Sequence, residues 1–362
     1  MRTTGIRMLR VMKTLIPKLT ALVLALCFLP AFALAEDTEA GEESEWVNFL
    51  LICNEGMNND KGNAGNTLMV VAMNPSSGKI RLMMFTWDTF VDYEGYDVPQ
   101  KLDMPYRNNG PEECVRVFNE NFNIGIKYYL SLNYLNLASL IDAYGGINVD
   151  ISRAERNALN GMVASKHDQL QAQIGSGILS QAVLELLTKE YYLTEFGSNT
   201  HLNGLQAVGF GWLQYDSVYN CCLREVKVIA NLFSSVGAVV ANHVAFYTNE
   251  TGAPEDLRGR RAINLDAMTE DDHRFIRREL DPIFQMSFHN LPDEVIDSIS
   301  IALVRVAYQA SRQGVNILEE SLKFKIFPLE ATEPYDIVAG AKGHIVDKEK
   351  NTAAMKEFMA QN

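Results

Sequence analysis

Two carboxylates stand at strand ends in the first third of the chain, where side chains are placed to do chemistry. Glu55 follows the apolar run Trp46 to Ile52, and Asp88 follows the run Lys79 to Phe85. Between them Asn66 precedes a third run, Thr67 to Met73. Loops on strand ends carry sites because a rigid sheet fixes their starting points. The tips Cys53-Asn54-Glu55, Ala64-Gly65-Asn66-Thr67 and Thr86-Trp87-Asp88-Thr89 can therefore converge on one pocket. On residue type alone, an acid at such a tip is as ready to be solvated, or to cap a turn, as to serve a site.

The elements that must position these tips are legible in outline. Asn74-Pro75-Ser76-Ser77-Gly78 carries the Pro and Gly of a hairpin between the second and third strands. The segment Tyr93 to Met104 reads as a loop, broken by Gly95 and Pro99. Gly110-Pro111-Glu112-Glu113 opens a helix with proline and acids in its first turn, as the helix dipole favours. A strand over Lys127 to Leu132 follows, then a helix over Tyr134 to Ala143, then an alternating strand, Ile147 to Ile151. Strands alternating with helices predict an α/β fold, a mixed central β-sheet with helices packed on both faces. Beyond Arg153 the chain reads as mainly helical. It has a Gln/Leu/Ala-rich run over Ser165 to Leu193, a short helix over Asn203 to Trp212 and a long one over Arg224 to Ala241. Asn249 to Leu265 reads as an inserted polar loop, Pro292 to Gln313 as helix, Leu322 to Leu329 as strand and Ala353 to Met359 as a closing helix.

The first 35 residues are a separate object. Arg2, Arg7, Arg10, Lys13 and Lys18 precede a largely apolar run from Leu19 that ends in Ala33-Leu34-Ala35. This is the pattern of a signal peptide, or of a short N-terminal membrane anchor. Either form predicts an extracytoplasmic protein, secreted or held at the outer face of the cytoplasmic membrane. Residues 36–45 form an acidic linker, and 46–362 one folded domain. The chain carries 32 basic and 45 acidic residues; without the five basic residues of the leader the balance is 27 against 45, a net charge of −18. An acidic exterior without a Lys/Arg stripe argues against nucleic acid as a partner. No CxxC pair or HExxH stretch is present, which argues against a zinc site.

Several stretches together resemble the LytR-CpsA-Psr family, the cell-envelope proteins of Gram-positive bacteria. Phe49 to Glu55 is similar to the family's first strand, which usually ends in Gly-Ser-Asp. Asn66-Thr67-Leu68-Met69-Val70 resembles its Arg-Ser-Asp-Thr-Met-Met strand, and Asn74-Pro75 through Asp88-Thr89 its hairpin ending in Pro-Arg-Asp-Thr. Asp142-Ala143-Tyr144-Gly145-Gly146-Ile147-Asn148-Val149-Asp150 is the most specific match, and Leu202-Asn203-Gly204-Leu205-Gln206-Ala207 is another. His344-Ile345-Val346-Asp347, with Asn351 and Phe358, resembles the C-terminal signature. The resemblance implies movement of a glycopolymer from an undecaprenyl-pyrophosphate carrier to peptidoglycan. It implies a polyprenyl-phosphate-linked glycan or peptidoglycan as partner, acids that hold magnesium, and arginines on the pyrophosphate.

Set against that pattern, the chain is depleted. Glu55 and Asn66 match the metal acids, and Asn66 brings an oxygen without charge, which puts magnesium in doubt. Asp88 and Arg224 match catalytic positions. Arg224 also has Glu225 and Asp216 within pairing distance along the chain. Ala64, Trp87, Trp212, Gln214 and Cys221 stand where cations are expected, and Glu225 replaces an amide. Trp87, Trp212, Gln214 and Glu225 thereby become candidate binding residues, the indoles as stacking platforms for a sugar or polyprenyl chain or as plain filler. Arginine's planar fork is the natural holder of phosphate, and losing one such donor costs on the order of a hundredfold in rate. The expectation is a catalytically weak or inactive member that keeps lipid or glycan binding, with an exported scaffold that kept only the fold as the alternative. In the matched fold Cys53 and Cys221 approach the same pocket. A bridge from Cys53 to Cys221 or Cys222 is therefore the candidate tether, set against plain burial of unpaired thiols.

Overall fold

The structure, a computed structural model, describes residues 46–56, 65–74, 79–173, 190–293, 295–297, 299, 300, 308 and 322–361. The leader, the linker, Ala64 and the turn at 75–78 lie outside the described residues. Among the described residues no helix is long and apolar enough to cross a membrane.

Three antiparallel strands form the centre: β1 (Val47–Asn54), β2 (Gly65–Asn74) and β3 (Lys79–Phe85). A short β4 (Thr89–Val91) leaves this sheet at once and pairs with β5 (Gln100–Lys101). Helices α1 (Met104–Asn109) and α2 (Pro111–Phe122) lead to β6 (Tyr128–Asn133), which runs parallel beside β1. Next come α3 (Tyr134–Ala143), β7 (Ile147–Ile151), α4 (Arg153–Gln173) and β8 (Gly197–Leu202), with β7 and β8 antiparallel. Helices α5 (Gly204–Gly211) and α6 (Val218–His243) are followed by a parallel pair, β9 (Val244–Tyr247) and β10 (Arg261–Asn264). Helix α7 (Glu270–Met286) and β11 (Phe288–His289) bring the chain back to the far side of β6. Strand β12 (Leu322–Phe327) closes the other edge, parallel to β3. The hairpin β13 (Asp336–Val338) and β14 (Ala341–Ile345) joins β4, and α8 (Lys348–Ala360) ends the fold. The main sheet is thus mixed, in the order β11-β6-β1-β2-β3-β12.

Both faces of the central strands are apolar, so their side chains alternate between two cores. Phe49, Leu51, Met69, Val71, Leu82 and Met84 face a layer containing α3, α5, α6 and α7. Leu50, Ile52, Leu68, Val70, Met83 and Phe85 face α2 and α8. The second core also holds a cation that sequence inspection passed over. Arg81 is fully buried in β3 and donates to the carbonyls of Phe358 at 3.1 Å and Gln361 at 2.6 Å. Its guanidinium thereby ties the C-terminal end of α8 to the sheet.

The two most specific motifs lock to one another. Asp142 accepts a hydrogen bond from the Gly204 amide at 2.9 Å, and Ile147 pairs with Leu202. A Cβ on Gly204 would lie 1.9 Å from the Ala138 carbonyl oxygen, so helices α3 and α5 cross with room only for hydrogen. Asn203 caps α5 through its side chain, and Gln206 returns the bond to the Asn203 amide at 3.0 Å.

The expected order of elements is present, with four differences. The stretch read as a loop to Met104 contains β5, and α1 begins at its end, where Pro105 tolerates the first turn of a helix. Tyr191 to Leu193 are not helical, and Asn160 fixes the Leu193 backbone from both sides; residues 174–189 of that run lie outside the described residues. The long helix begins at Val218, capped by Ser217, rather than at Arg224. The stretch read as an inserted loop ends in β10, and α7 follows with a Thr269/Asp272 capping box that the sequence reading left unassigned.

Candidate functional site

Register brings the three tips together. Cys53 lies opposite Thr67 and Leu68 opposite Phe85, so Glu55, Asn66, Trp87 and Asp88 crowd one end of the sheet. Two clefts open there. The larger, about 520 Å³, is lined by Glu55, Asn66, Trp87, Lys101, Arg107 and Gln214 among others. The smaller, about 390 Å³, shares Glu55, Asn66 and Gln214, and adds Lys166, Trp212 and Tyr215. Six of the eight sequence-predicted residues therefore meet in or beside one joined cleft, with Asp88 buried next to Trp87. Lys101, Arg107, Lys166 and Tyr215 were missed. They come from β5, α1, α4 and the loop before α6, whose own sequences carry no motif, and only the tertiary fold brings them in.

The polar groups differ sharply in burial. Glu55 and Gln214 are exposed and Asn66 is half-buried; none of these three side chains has a partner among the described residues. Asp88 is 2% exposed, and neither carboxylate oxygen makes a hydrogen bond among the described residues. The Tyr335 hydroxyl faces it and is held above its ordinary pKa by partial burial and then by the Asp88 charge. Trp87 is half-buried under the Lys101 ammonium, 4.9 Å from its ring centre. Trp212 is buried, packs at a tilt against Tyr134 with ring centres 5.4 Å apart and donates its indole N–H to the Thr67 hydroxyl at 3.2 Å. It fills volume beneath the smaller cleft.

Arg224 and Glu225 point away from open solvent. The Arg224 guanidinium donates to both Asp216 carboxylate oxygens, at 3.0 and 2.7 Å, and to the Leu213 carbonyl, with Glu155 at 3.7 Å. It holds the Asp216 carboxyl below the usual carboxylate range. The sole motif arginine among the described residues is thus matched by two acids. Glu225 is 3% exposed. Burial pushes its carboxyl up to about 8, against the opposing pull of Thr67, Cys221 and Arg224, so it is mostly neutral at pH 7. The Cys221 thiol lies 3.6 Å from one of its oxygens, and the other has no partner among the described residues.

The cysteines decide between the two readings open to them: Cys53, Cys114, Cys221 and Cys222 are all free and buried, so plain burial holds and the candidate bridge is not formed. Cys53 and Cys222 belong to the same apolar core, where packing from α6 already holds the segment that a bridge was expected to tether. Burial raises each thiol well above its ordinary value. Peptide mapping after alkylation in denaturant without reductant is expected to find all four modified singly. A Cys53–Cys221 or Cys53–Cys222 linked peptide would contradict the structure.

Magnesium prefers an octahedral oxygen cage that includes charged carboxylates. Among the described residues no three His, Cys, Asp or Glu side chains converge as a metal site. Glu55 is exposed, Asn66 is uncharged and Asp88 lies beneath the surface. The residues present do not fit a preformed magnesium site, and no step through the metal follows from them.

Beneath the tips, Phe49, Leu51, Leu130, Leu132, Leu137, Leu140, Ile229, Phe233 and Ile283 enclose an apolar slot between the sheet and α3, α6 and α7. It measures about 20 Å³, little more than one water molecule needs.

A mixed sheet sandwiched between helices, with a cleft at the tips of β1, β2 and β3, defines the class of fold. The LytR_cpsA_psr family profile matches residues 32–218, just over half of the chain, and the chain belongs to that family. Among solved structures it is similar to TagV of Bacillus subtilis, with TM-score 0.55 and 12% identity over 88% of this chain and 99% of that one. A Streptococcus agalactiae protein gives TM-score 0.54 and 17% identity over 89% and 90%. At these identities the likeness shows the fold. The polyisoprenyl-teichoic acid–peptidoglycan teichoic acid transferase TagU of Bacillus anthracis is 28% identical over 111 residues, 31% of this chain and 36% of that protein. The match thus spans about a third of that relative's length.

Proposed function

We propose that this chain is an extracytoplasmic cell-envelope member of its family that holds a glycan-bearing ligand without transferring it. The observation that carries this reading is the state of Arg224. The one motif arginine that persists among the described residues is engaged by Asp216 and Glu155, so it is not available to a pyrophosphate. Trp87, Trp212, Gln214 and Cys221 occupy other cationic positions of the resemblance, and none of them carries a positive charge. Phosphoryl transfer is chiefly positioning and neutralisation of charge, and a site whose motif positions carry no free cation is poorly equipped for either. The partner class remains that of the family resemblance, a polyprenyl-phosphate-linked glycan or peptidoglycan at the outer face of the membrane.

The test is a transfer assay with magnesium and a polyprenyl-pyrophosphate-linked glycan, run beside TagU at equal concentration. With several donors absent, turnover at least about a thousandfold lower is expected. Turnover within tenfold of TagU would sink the proposal. The narrowness of the apolar slot favours a second reading, a scaffold that kept only the fold. Soaking with a polyprenyl phosphate separates the two, since a tail bound between α3 and α6 would discard the scaffold.

A further inference from the structure

A surface loop stands between Arg224 and the cleft. Trp212 to Ser217 join α5 to α6, and Gln214, Tyr215, Asp216 and Ser217 are exposed while the Arg224 side chain is 4% exposed. Leu213, Gln214 and Tyr215 line the smaller lobe of the cleft, and the Arg224 guanidinium lies 5.1 Å from the Tyr215 ring centre. Asp216 fastens this strap. Its two carboxylate oxygens accept from both arms of the guanidinium fork, from Nη1 at 3.0 Å and from Nη2 at 2.7 Å.

A guanidinium presents the same planar fork to a carboxylate and to a phosphate. A carboxylate in that fork therefore fills the place that a pair of phosphate oxygens would take. A buried cation must be paired, and its partner is commonly as deeply buried as the cation itself. Here the partner comes from the surface. The Asp216 carboxylate is 26% exposed, and it also accepts from the exposed Asn220 amide at 3.1 Å. Nor does the internal acid use the whole cation: Nε of Arg224 is buried and has no partner among the described residues, and Glu155 stops at 3.7 Å. The guanidinium thus keeps a spare donor behind a carboxylate that only a short exposed loop holds in place.

We propose that Asp216 is an autoinhibitory contact, an internal anion that occupies the Arg224 fork and keeps phosphate groups off it until the strap from Gln214 to Ser217 moves aside. This inference rests on the non-transferring reading above and assigns the regulation of the same site. Titration calorimetry of the full chain with inorganic pyrophosphate compares the wild type with Asp216→Asn. The variant is expected to bind saturably, at least tenfold more tightly than the wild type, and to lose that gain when Arg224→Gln is added. Asp216→Asn also leaves a buried cation unpaired, so its urea midpoint is expected to fall and to recover with pyrophosphate, which binds only the folded state. A variant that is unfolded without the anion is expected to refold with it. No gain in binding, no recovery or refolding with pyrophosphate, or a gain that survives Arg224→Gln overturns the inference and leaves the absence of transfer standing. Saturation of the wild type that Arg224→Gln abolishes overturns the non-transferring reading itself.

Discussion

Replacing Glu225 with glutamine is expected to leave stability unchanged near pH 4 and to raise it by about 3–5 kcal/mol at pH 8 and above. The carboxyl has an ordinary value of 4.5 in the unfolded chain and about 8 when buried in the fold. The folded state therefore holds its proton more tightly than the unfolded state does. Its contribution is fully present below about 4.5, is lost progressively as pH rises, and levels off above about 8. Glutamine has the shape of the neutral acid and never ionises, so the variant escapes this loss. The groups facing Glu225 are Thr67 from β2, Cys53 from β1, and Cys221, Cys222 and Arg224 from its own helix. The thiols stay protonated across this range, so the difference between the two proteins isolates one proton. Urea denaturation at pH 4, 6 and 8 measures it, and parallel profiles for the two proteins would refute the assignment.

Arg81→Met is expected to be strongly destabilising. The guanidinium reaches the carbonyls of Ile80, Phe358 and Gln361 from a position with no solvent exposure. Methionine supplies no donors, which strands the buried Phe358 carbonyl near the end of α8. Losing a buried, hydrogen-bonded charge of this kind costs about 3–5 kcal/mol. Lysine would recover only part of this, since a single ammonium cannot span the fork. Urea midpoints give the size of the effect. Hydrogen exchange should show loss of protection first in α8, and a destabilisation below about 1 kcal/mol would show that Arg81 is incidental.

The sheet and its tips were legible because periodicity and loop punctuation are local. Lys79 to Phe85 begins and ends where the alternation and flanking turns place it, and Tyr134 to Ala143 has its predicted bounds. Glu55, Asn66 and Gln214 were found through motif positions, and the fold brings them to one cleft. Their surroundings were not legible. Lys101 reaches Trp87 because β5 pairs with β4, and Tyr335 reaches Asp88 from the far end of the chain. Nothing near either residue in sequence marks it. Nothing in the run Lys79 to Phe85 marks Arg81 as buried, and its burial depends on α8, far along the chain. Of the two readings of the cysteines plain burial holds, because proximity to one pocket does not imply a bond between the residues that share it.

Strand β12 has a consequence for how the chain is made. It lies parallel to β3 across a sequence gap of more than two hundred residues, with Leu322 beside Ile80 and Phe327 beside Phe85. Until those residues leave the ribosome, β3 is an open edge whose unpaired amides can accept any passing strand. Arg81 waits longer still for the carbonyls at Phe358 and Gln361. Long-range pairing of this kind slows folding. A nascent chain stalled just before β12 is therefore the form most exposed to edge-to-edge aggregation, and the one on which a holding chaperone would have most effect.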